Sequence, residues 1–165
     1  MKRFYLIFIS LLICLVYTGC GKWWNHDDKL TLPREPYYGD ALRLDGYYYQ
    51  TDRNGHTGVF FLYRNGVTLD GFAFDGVDLD IVEKEMIGAY DKMRKNKYSW
   101  GIFIIRENTL EAECWRSVGM TGGLHAYKFF YNIENDTTLR YIKDNEIWHF
   151  KQFSPKPDST NRFIN

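Results

Sequence analysis

Few side chains in this sequence have the types and spacing needed for catalysis, and the first of them is a thiol. Cys114 could form a thiol–imidazole pair with His125 or His149, the arrangement that activates a cysteine nucleophile. However, Leu110, Ala112 and Cys114 alternate as they would on one face of a strand, and no glycine-rich turn that could hold an oxyanion accompanies the cysteine. We therefore expect Cys114 to be a small buried residue and keep a thiol hydrolase as an alternative.

A group of carboxylates is the second candidate. Asp70, Asp75, Asp78 and Asp80 lie close together, and the stretch from Asp75 onward repeats carboxylates as a calcium-binding loop does. The EF-hand pattern requires Gly at its sixth position, whereas Gly76 is the second residue here. Helix capping by Asp78 or Asp80 explains the same residues without a metal, and we favour it. A carboxylate hydrolase built on the Asp70–Asp80 group is the other enzymatic alternative.

No metal or other cofactor is expected. Metal ligands recur at spacings such as H-x₃₋₅-H or C-x₂-C, and these spacings are missing from the four histidines, His26, His56, His125 and His149. Basic and acidic residues are equal in number, 21 of each, which argues against nucleic acid as a partner, because a phosphate-binding surface requires an excess of Lys and Arg. The sequence therefore favours binding over catalysis.

The strongest signal lies in the first twenty residues. A basic start, Met1-Lys2-Arg3, precedes the apolar run Phe4–Val16, which is too short to span a bilayer but has the length of a signal-peptide core. Thr18-Gly19-Cys20 then resembles the lipobox of bacterial lipoproteins, in which the cysteine receives a diacylglyceryl thioether and becomes the mature N-terminus; Tyr17 replaces the usual aliphatic residue. The resemblance implies a lipoprotein signal peptide over residues 1–19 and lipid attachment at Cys20. An ordinary secretory cleavage and an uncleaved anchor are the alternatives.

Lipidation at Cys20 would place the protein in the cell envelope, with the membrane as its partner. Two or more acyl chains would hold it there, since each buried CH₂ contributes about 0.8 kcal/mol. Gly21 stands where lipoproteins kept at the inner membrane carry Asp, so the resemblance favours the outer membrane. Residues 20–41 are polar and irregular, with Pro33 and Pro36, and we interpret them as the lipid anchor and a tether.

The rest of the chain has the pattern of antiparallel strands, with short aromatic and β-branched runs separated by turn residues such as Arg64-Asn65-Gly66. One segment, Leu79–Lys95, instead repeats apolar residues at intervals of three and four, and Asp80 and Glu83 have the spacing of a capping box. It predicts a single amphipathic helix. Eight strands are predicted, at Gly46–Thr51, Gly58–Tyr63, Val67–Phe74, Tyr98–Arg106, Thr109–Arg116, His125–Ile133, Thr138–Ile142 and Glu146–Phe153.

Three strands, a helix and a five-stranded meander predict a mainly β fold. The expected architecture is a single antiparallel eight-stranded up-and-down barrel with the helix inserted between strands 3 and 4, because closure leaves no strand edge exposed. This layout, with its early strand Asp45-Gly46-Tyr47-Tyr48-Tyr49, resembles the lipocalin-like (calycin) barrels, and the segment Phe153–Asn161 resembles the Phe-x-Pro-Lys-Pro-Asp-Ser-Thr-Asn end of small bacterial lipoproteins of Bacteroidota type. The barrel domain is expected over residues 42–153, with a C-terminal tail over 154–165.

Aromatic residues make up 18% of the chain and raise the question of a ligand site. The strand Gly58–Tyr63 is apolar on both faces, so its outer face is either covered by the helix and the tails or exposed for recognition. The rings either fill the barrel or line a pocket. Rings with an apolar face and a polar tip suit small ligands, and the first ligand-binding candidates are Tyr47, Tyr48, Tyr49 and Trp115.

Two short patterns concern modification. Asp136-Thr137-Thr138 and Asp158-Ser159-Thr160 resemble the O-glycosylation acceptors of exported Bacteroidota proteins, which implies Thr137 and Ser159 as candidates. Both patterns also fit turns.

We expect a membrane-anchored, non-enzymatic binding module for a small apolar or ring-recognised ligand. The alternatives are a structural or protein-interaction subunit of an envelope complex with a solid barrel, and the hydrolases described above. An apolar cavity of about 300 Å³ or more would favour the ligand-binding module, whereas a packed interior would favour the interaction subunit.

Overall fold

The computed structural model describes residues 27–117 and 123–164 of the 165-residue chain. Within these ranges the chain forms eight β-strands, one α-helix and a short 3₁₀ helix, Lys97–Ser99. Strands that follow each other pair antiparallel, and β1 also pairs with β8, so the sheet closes into a barrel. The elements are β1 Gly46–Thr51, β2 His56–Leu62, β3 Val67–Asp75, α1 Leu79–Arg94, β4 Trp100–Arg106, β5 Thr109–Ser117, β6 Leu124–Asn135, β7 Thr138–Tyr141 and β8 Ile147–Gln152.

The predicted fold class is confirmed: the protein is a closed antiparallel eight-stranded barrel with a helix between the third and fourth strands. Predicted element ends coincide with the observed ends or differ from them by at most two residues. For example, β4 begins at Trp100 because Tyr98 belongs to the 3₁₀ helix. The helix cap also differs from the capping-box spacing, since Asp78 is the N-cap and its carboxylate accepts the Asp80 N–H at 2.9 Å.

Inward-facing side chains fill the barrel. The register places Tyr48 opposite both Phe60 and Phe150, and Leu110 opposite Tyr131, so these side chains share the inner face of the closed sheet. The Tyr48 and Phe60 rings stack with their centroids 5.6 Å apart. This cluster, the inner core, has as its buried members Leu42, Tyr48, Phe60, Leu62, Phe103, Leu110, Ala112, Tyr131, Ile133 and Leu139.

A second apolar cluster, the outer core, lies on the outside of the barrel. Val59 and Phe61 face outward from β2 and are 1% and 0% exposed, because Val82 and Met86 of α1 pack over that side of the sheet. Residues from both tails complete the cover, among them Leu32 and Ile164. The two-sided apolar pattern of this strand therefore reflects coverage by the helix and the tails rather than an exposed recognition face.

Three irregular segments pack the two ends of the described chain against the barrel. The N-terminal strap, residues 27–36, crosses β5, where Glu113 is 2% exposed and accepts the backbone N–H groups of Thr31 at 2.6 Å and Leu32 at 2.7 Å. The plug, residues 37–45, follows and carries Leu42 into the inner core. The C-terminal strap, residues 153–164, packs against the outer core. The part of the predicted tether at 27–41 is thus irregular in backbone but lies against the barrel.

Candidate functional site at the mouth of the barrel

The two ends of the barrel differ. In an up-and-down barrel alternate connections lie at opposite ends, so the β2–β3, β4–β5 and β6–β7 turns share one end. The plug covers that end, where the Tyr48 hydroxyl donates to the carbonyl oxygen of Asp136 at 3.0 Å. The opposite end, termed the mouth, carries the β1–β2 turn and the β3–α1 loop, which are joined by a hydrogen bond from Gly76 N–H to the Gly55 carbonyl oxygen at 2.8 Å.

An ion pair lies inside the barrel beneath the mouth. Arg116 of β5 donates from Nη2 to the carboxylate of Asp70 on β3, and the two side chains are 31% and 23% exposed. Its Nη1 donates to the carbonyl oxygens of Trp115 at 3.0 Å and Tyr98 at 3.3 Å. Burial lowers the pKa of Arg116, but the charge of Asp70 and the hydrogen bond to it outweigh burial and raise that pKa. The guanidinium is therefore a permanent cation held in one orientation.

Aromatic rings surround this ion pair. The Arg116 guanidinium lies 5.1 Å from the ring centre of Phe129, within the range of a cation–π contact. Trp148 packs against Phe60 with ring centroids 5.0 Å apart, and no described residue accepts a hydrogen bond from its buried Nε1. The mouth therefore combines ring surfaces, a fixed cation and an indole N–H that has no partner among the described residues.

The open space below the ion pair is small. A cavity of about 10 Å³ lies there, which is room for roughly one water molecule. Its lining residues are Phe60, Thr68, Asp70, Ala112, Cys114, Phe129 and Tyr131. A small ligand could therefore rest at the mouth, whereas entry below the ion pair would require the inner core to rearrange.

The thiol beside this cavity is not poised for catalysis. Cys114 is 2% exposed, and burial, aided by the charge of Asp70, raises its pKa. A raised pKa opposes formation of the nucleophilic thiolate. His125 lies instead 3.2 Å from the carboxylate of Asp28, and His149 packs against a tyrosine ring. The structure does not bring either histidine to the thiol.

The four predicted ligand-binding residues lie in separate places. Tyr47 is fully buried in the outer core, where its hydroxyl donates to Glu83 of α1 at 2.8 Å. Tyr48 belongs to the inner core near the plugged end. Tyr49 is half-buried on the outside of β1, and Trp115 is 4% exposed beneath the N-terminal strap. The structure therefore does not assemble these four residues into one site.

The carboxylates between Asp70 and Asp80 are likewise separated. Asp75 lies 3.3 Å from His56, Asp78 caps α1, and Asp80 lies 3.5 Å from Lys151. Among the residues that the structure describes, no group of three or more His, Cys, Asp or Glu side chains could hold a metal ion. Capping, the favoured explanation of Asp78, is confirmed.

The remaining predicted sites concern covalent modification. Cys20 lies outside the described residues. Thr137 lies in the β6–β7 turn, where its hydroxyl donates to Asn135 Oδ1 at 2.8 Å, and Ser159 Oγ accepts a hydrogen bond from Asn65 Nδ2 at 3.1 Å. Both hydroxyls thus have hydrogen-bond partners, and O-glycosylation stays a prediction.

The sequence did not predict the ion pair at the mouth, although it contained a signal for one of the two partners. Leu110, Ala112 and Cys114 predict an inward face, and Arg116 is the next residue on that face. A cation at the end of an apolar face indicates an inward-pointing charge that needs a partner. That partner, Asp70, is 46 residues away, and no local pattern connects the two.

The fold and the site define a closed antiparallel β-barrel protein with an ion pair and aromatic rings at its mouth. Comparison of the chain with protein-family models, curated proteins and solved structures finds no match. Within residues 27–117 and 123–164, no helix has the length and apolar character required to cross a lipid bilayer.

Proposed function

We propose that this protein is a membrane-anchored lipoprotein of the cell envelope that acts as a non-enzymatic binding module, with its ligand at the mouth of the barrel. The observation that carries the proposal is the ion pair between Asp70 and Arg116 on the inner side of the sheet. Moving two charges out of water costs free energy that their mutual attraction often fails to recover. Apolar side chains in place of Asp70 and Arg116 would therefore stabilise the fold about as well. An ion pair at the mouth is therefore better explained by binding than by stability.

The chemistry of the mouth favours a small ligand with a flat apolar face and a hydrogen-bond acceptor. Phe129 and Trp148 supply ring surfaces, and the Arg116 guanidinium supplies donors. The inner core lies directly below and limits how deeply such a ligand can insert. The ligand would therefore rest between the rings rather than fill the barrel.

The membrane anchor is supported by the residues before the barrel. The basic start, the apolar run Phe4–Val16 and the lipobox-like Thr18-Gly19-Cys20 together favour export and lipidation, and Gly21 favours the outer membrane. Labelled palmitate should enter the wild-type protein and not the Cys20→Ser variant. A Cys20→Ser protein that stays in the membrane fraction and still carries label would refute the anchor.

A protein-interaction subunit is the second candidate, and the filled interior favours it. The cavity of about 10 Å³ is far smaller than a drug-sized ligand requires. Apolar side chains are exposed in the loop and turn at the mouth end, with Val77 at 67% and Ile142 at 47%. In this alternative they contact another envelope protein.

Native mass spectrometry of the lipidated protein, purified from its own envelope, separates the two candidates. We expect a bound small molecule in the wild type and its loss in Trp148→Leu, which removes the ring surface at the mouth. Trp115→Leu is the matched control and should retain the molecule, because Trp115 lies beneath the strap. A stoichiometric protein partner would support the second candidate. A wild-type mass equal to that of the lipidated chain alone would refute a ligand at the mouth.

A further inference from the structure

A charged feature outside the barrel is not explained by the mouth. A groove of about 570 Å³ runs between the C-terminal end of α1 and the C-terminal strap. Three of its lining residues are cations and one is acidic; the lining residues are Asp91, Arg94, Lys95, Thr160, Asn161 and Arg162. Among the ion pairs of the described residues, none includes Arg94, Lys95 or Arg162. The groove therefore presents net positive charge.

The helix dipole explains only some of the cations in this groove. Lys92 and Arg94 lie in the last turn of α1, where cations stabilise the helix dipole. Arg162 does not belong to the helix; it comes from the C-terminal strap, where its guanidinium lies 5.2 Å from the ring centre of Phe163. Cations from two segments that are distant in sequence, α1 and the C-terminal strap, thus line the same groove. Thr160 and Asn161 of the strap add neutral hydrogen-bonding groups.

The groove lies near the point from which the chain leads back to the predicted anchor. Asp27, the first described residue, accepts a hydrogen bond from Lys97 Nζ at 2.7 Å, and Lys97 follows Lys95 closely in the chain. A neighbouring groove of about 490 Å³ is lined by two lysines, Lys29 and Lys97, and by the two carboxylates Asp27 and Asp28, so it adds no net charge. The chain from Cys20 to Asp27 can extend over about 25 Å at most. A lipid on Cys20 would therefore keep this side of the molecule close to the membrane surface.

We propose that this cationic face, formed by Arg94, Lys95 and Arg162, lies against the membrane and binds anionic phospholipid headgroups in the groove beside α1. The proposal rests on the anchor at Cys20 and is independent of a ligand at the mouth. Lys and Arg bind phosphate oxygens through charge-assisted hydrogen bonds. Each cation near an anionic surface strengthens attachment about fivefold. The cationic face thus attracts the barrel to the membrane surface and also fixes its orientation there.

Lysine footprinting on vesicles tests this orientation. The lipidated protein is reconstituted in vesicles of phosphatidylethanolamine with phosphatidylglycerol, or of phosphatidylcholine alone, and is treated with a water-soluble acylating reagent. We expect acylation of Lys95 to be about fivefold slower on the anionic vesicles and to recover in about 0.5 M NaCl, which screens charges beyond a few ångströms. Lys84 and Lys143, which are exposed elsewhere, are internal controls. Equal Lys95 rates on both kinds of vesicle would overturn the proposal.

Variants that remove cations distinguish binding in the groove from a general effect of surface charge. Arg94→Gln combined with Arg162→Gln should abolish the protection of Lys95. Arg53→Gln combined with Arg106→Gln, which removes one exposed cation from the β1–β2 turn and one from the end of β4, should leave it intact; loss of protection in both pairs would overturn a specific site. Flotation with the vesicles checks the anchor separately. Protein that does not float refutes the anchor and this orientation together, whereas floating protein with unprotected Lys95 refutes the orientation alone.

Discussion

Lys156 is a half-buried cation that joins three parts of the fold. Its ammonium donates to the carbonyl oxygens of Leu44 in the plug, at 2.6 Å, and of Leu62 at the end of β2, and it lies 4.2 Å from the ring centre of Tyr63. Burial lowers the pKa of Lys156 to about 8, while the charge of Asp45 acts in the opposite direction. The C-terminal strap is thus attached through a lysine that is costly to keep charged.

The lowered pKa of Lys156 predicts how stability depends on pH. The ordinary lysine pKa is 10.5, so between about pH 8 and pH 10 the unfolded chain binds more protons than the folded one, and stability rises with pH. Relative to Lys156→Met, the wild type should gain about 1.5 kcal/mol of unfolding free energy between about pH 8 and pH 9.5. Urea titrations of both proteins at both pH values measure this gain. The window stays below the titration of the buried tyrosines Tyr47 and Tyr48, whose pKa values burial raises. The same pH dependence of unfolding free energy in both proteins would contradict a lowered pKa at Lys156.

Glu113 predicts a second residue-level effect, on the N-terminal strap. Glu113→Gln can keep its amide oxygen where one carboxylate oxygen accepts the backbone N–H groups of Thr31 and Leu32, with its NH₂ group toward the Thr31 hydroxyl, but it removes the negative charge. We expect a loss of about 2 kcal/mol in unfolding free energy and faster hydrogen exchange at these two amides, because hydrogen bonds to a buried charge are worth more than neutral ones. Glu134→Gln, at a surface pair with Arg140, should cost less than about 1 kcal/mol. Unchanged exchange at the strap in Glu113→Gln would argue against this anchoring role.

Glu113 also shows a limit of sequence reasoning. Alternation along β5 places it correctly on the outer face, where a carboxylate is expected to meet solvent. Its burial depends on Thr31 and Leu32, which lie more than 80 positions away along an irregular segment. A local period predicts the face of a side chain, but it does not predict which distant segment covers that face.

At the scale of elements, α1 is held to the barrel by one apolar face. Met86 is fully buried against the outer core, whereas its neighbour Ile87 is 50% exposed. Met86→Ala should lower the free energy of unfolding by about 3 kcal/mol, because the fold loses buried apolar contact and retains part of the cavity. Ile87→Ala is the matched control and should change it by less than about 1 kcal/mol. Denaturant unfolding of the two variants compares them, and equal losses would show that the helix packs by a different face.

The elements themselves were largely predictable because their signals are local. The turn Arg64-Asn65-Gly66 and the alternation around it place β2 and β3 within two residues of their observed ends. The helix was predictable from its period over Leu79–Lys95. The sequence did not predict that the outer face of β2 is covered. A strand that is apolar on both faces is consistent both with burial under a helix and with exposure to a partner. The position of α1 over Phe61 resolves that choice.

At the scale of the molecule, the aromatic residues divide between two cores on opposite sides of one sheet. The Tyr47 and Tyr48 side chains are neighbours in sequence but belong to the outer and the inner core, respectively. This division explains why consecutive tyrosines could not indicate a common site, since successive side chains in a strand point to opposite faces. The rings left at the mouth, such as Phe129 and Trp148, come from strands near the C-terminal end of the chain.

The closure of the barrel predicts the last effect. Gly46 of β1 lies opposite Gln152 of β8, and a Cβ at this position would press against the carbonyl oxygen of Lys151 and lie 2.7 Å from the Cα of Gln152. Backbone atoms cannot yield as a flexible side chain does, so Gly46→Ala must separate β1 from β8, and two unpaired strand edges then become available for association. We expect a loss of at least about 2 kcal/mol in unfolding free energy, stronger binding of an apolar dye, and larger species in sedimentation. Gly88→Ala is the control, because no atom lies within 4 Å of its added Cβ on α1, and it should gain up to about 1 kcal/mol. A Gly46→Ala protein with wild-type stability and size would show that the seam accepts a side chain and that the barrel does not depend on this close approach.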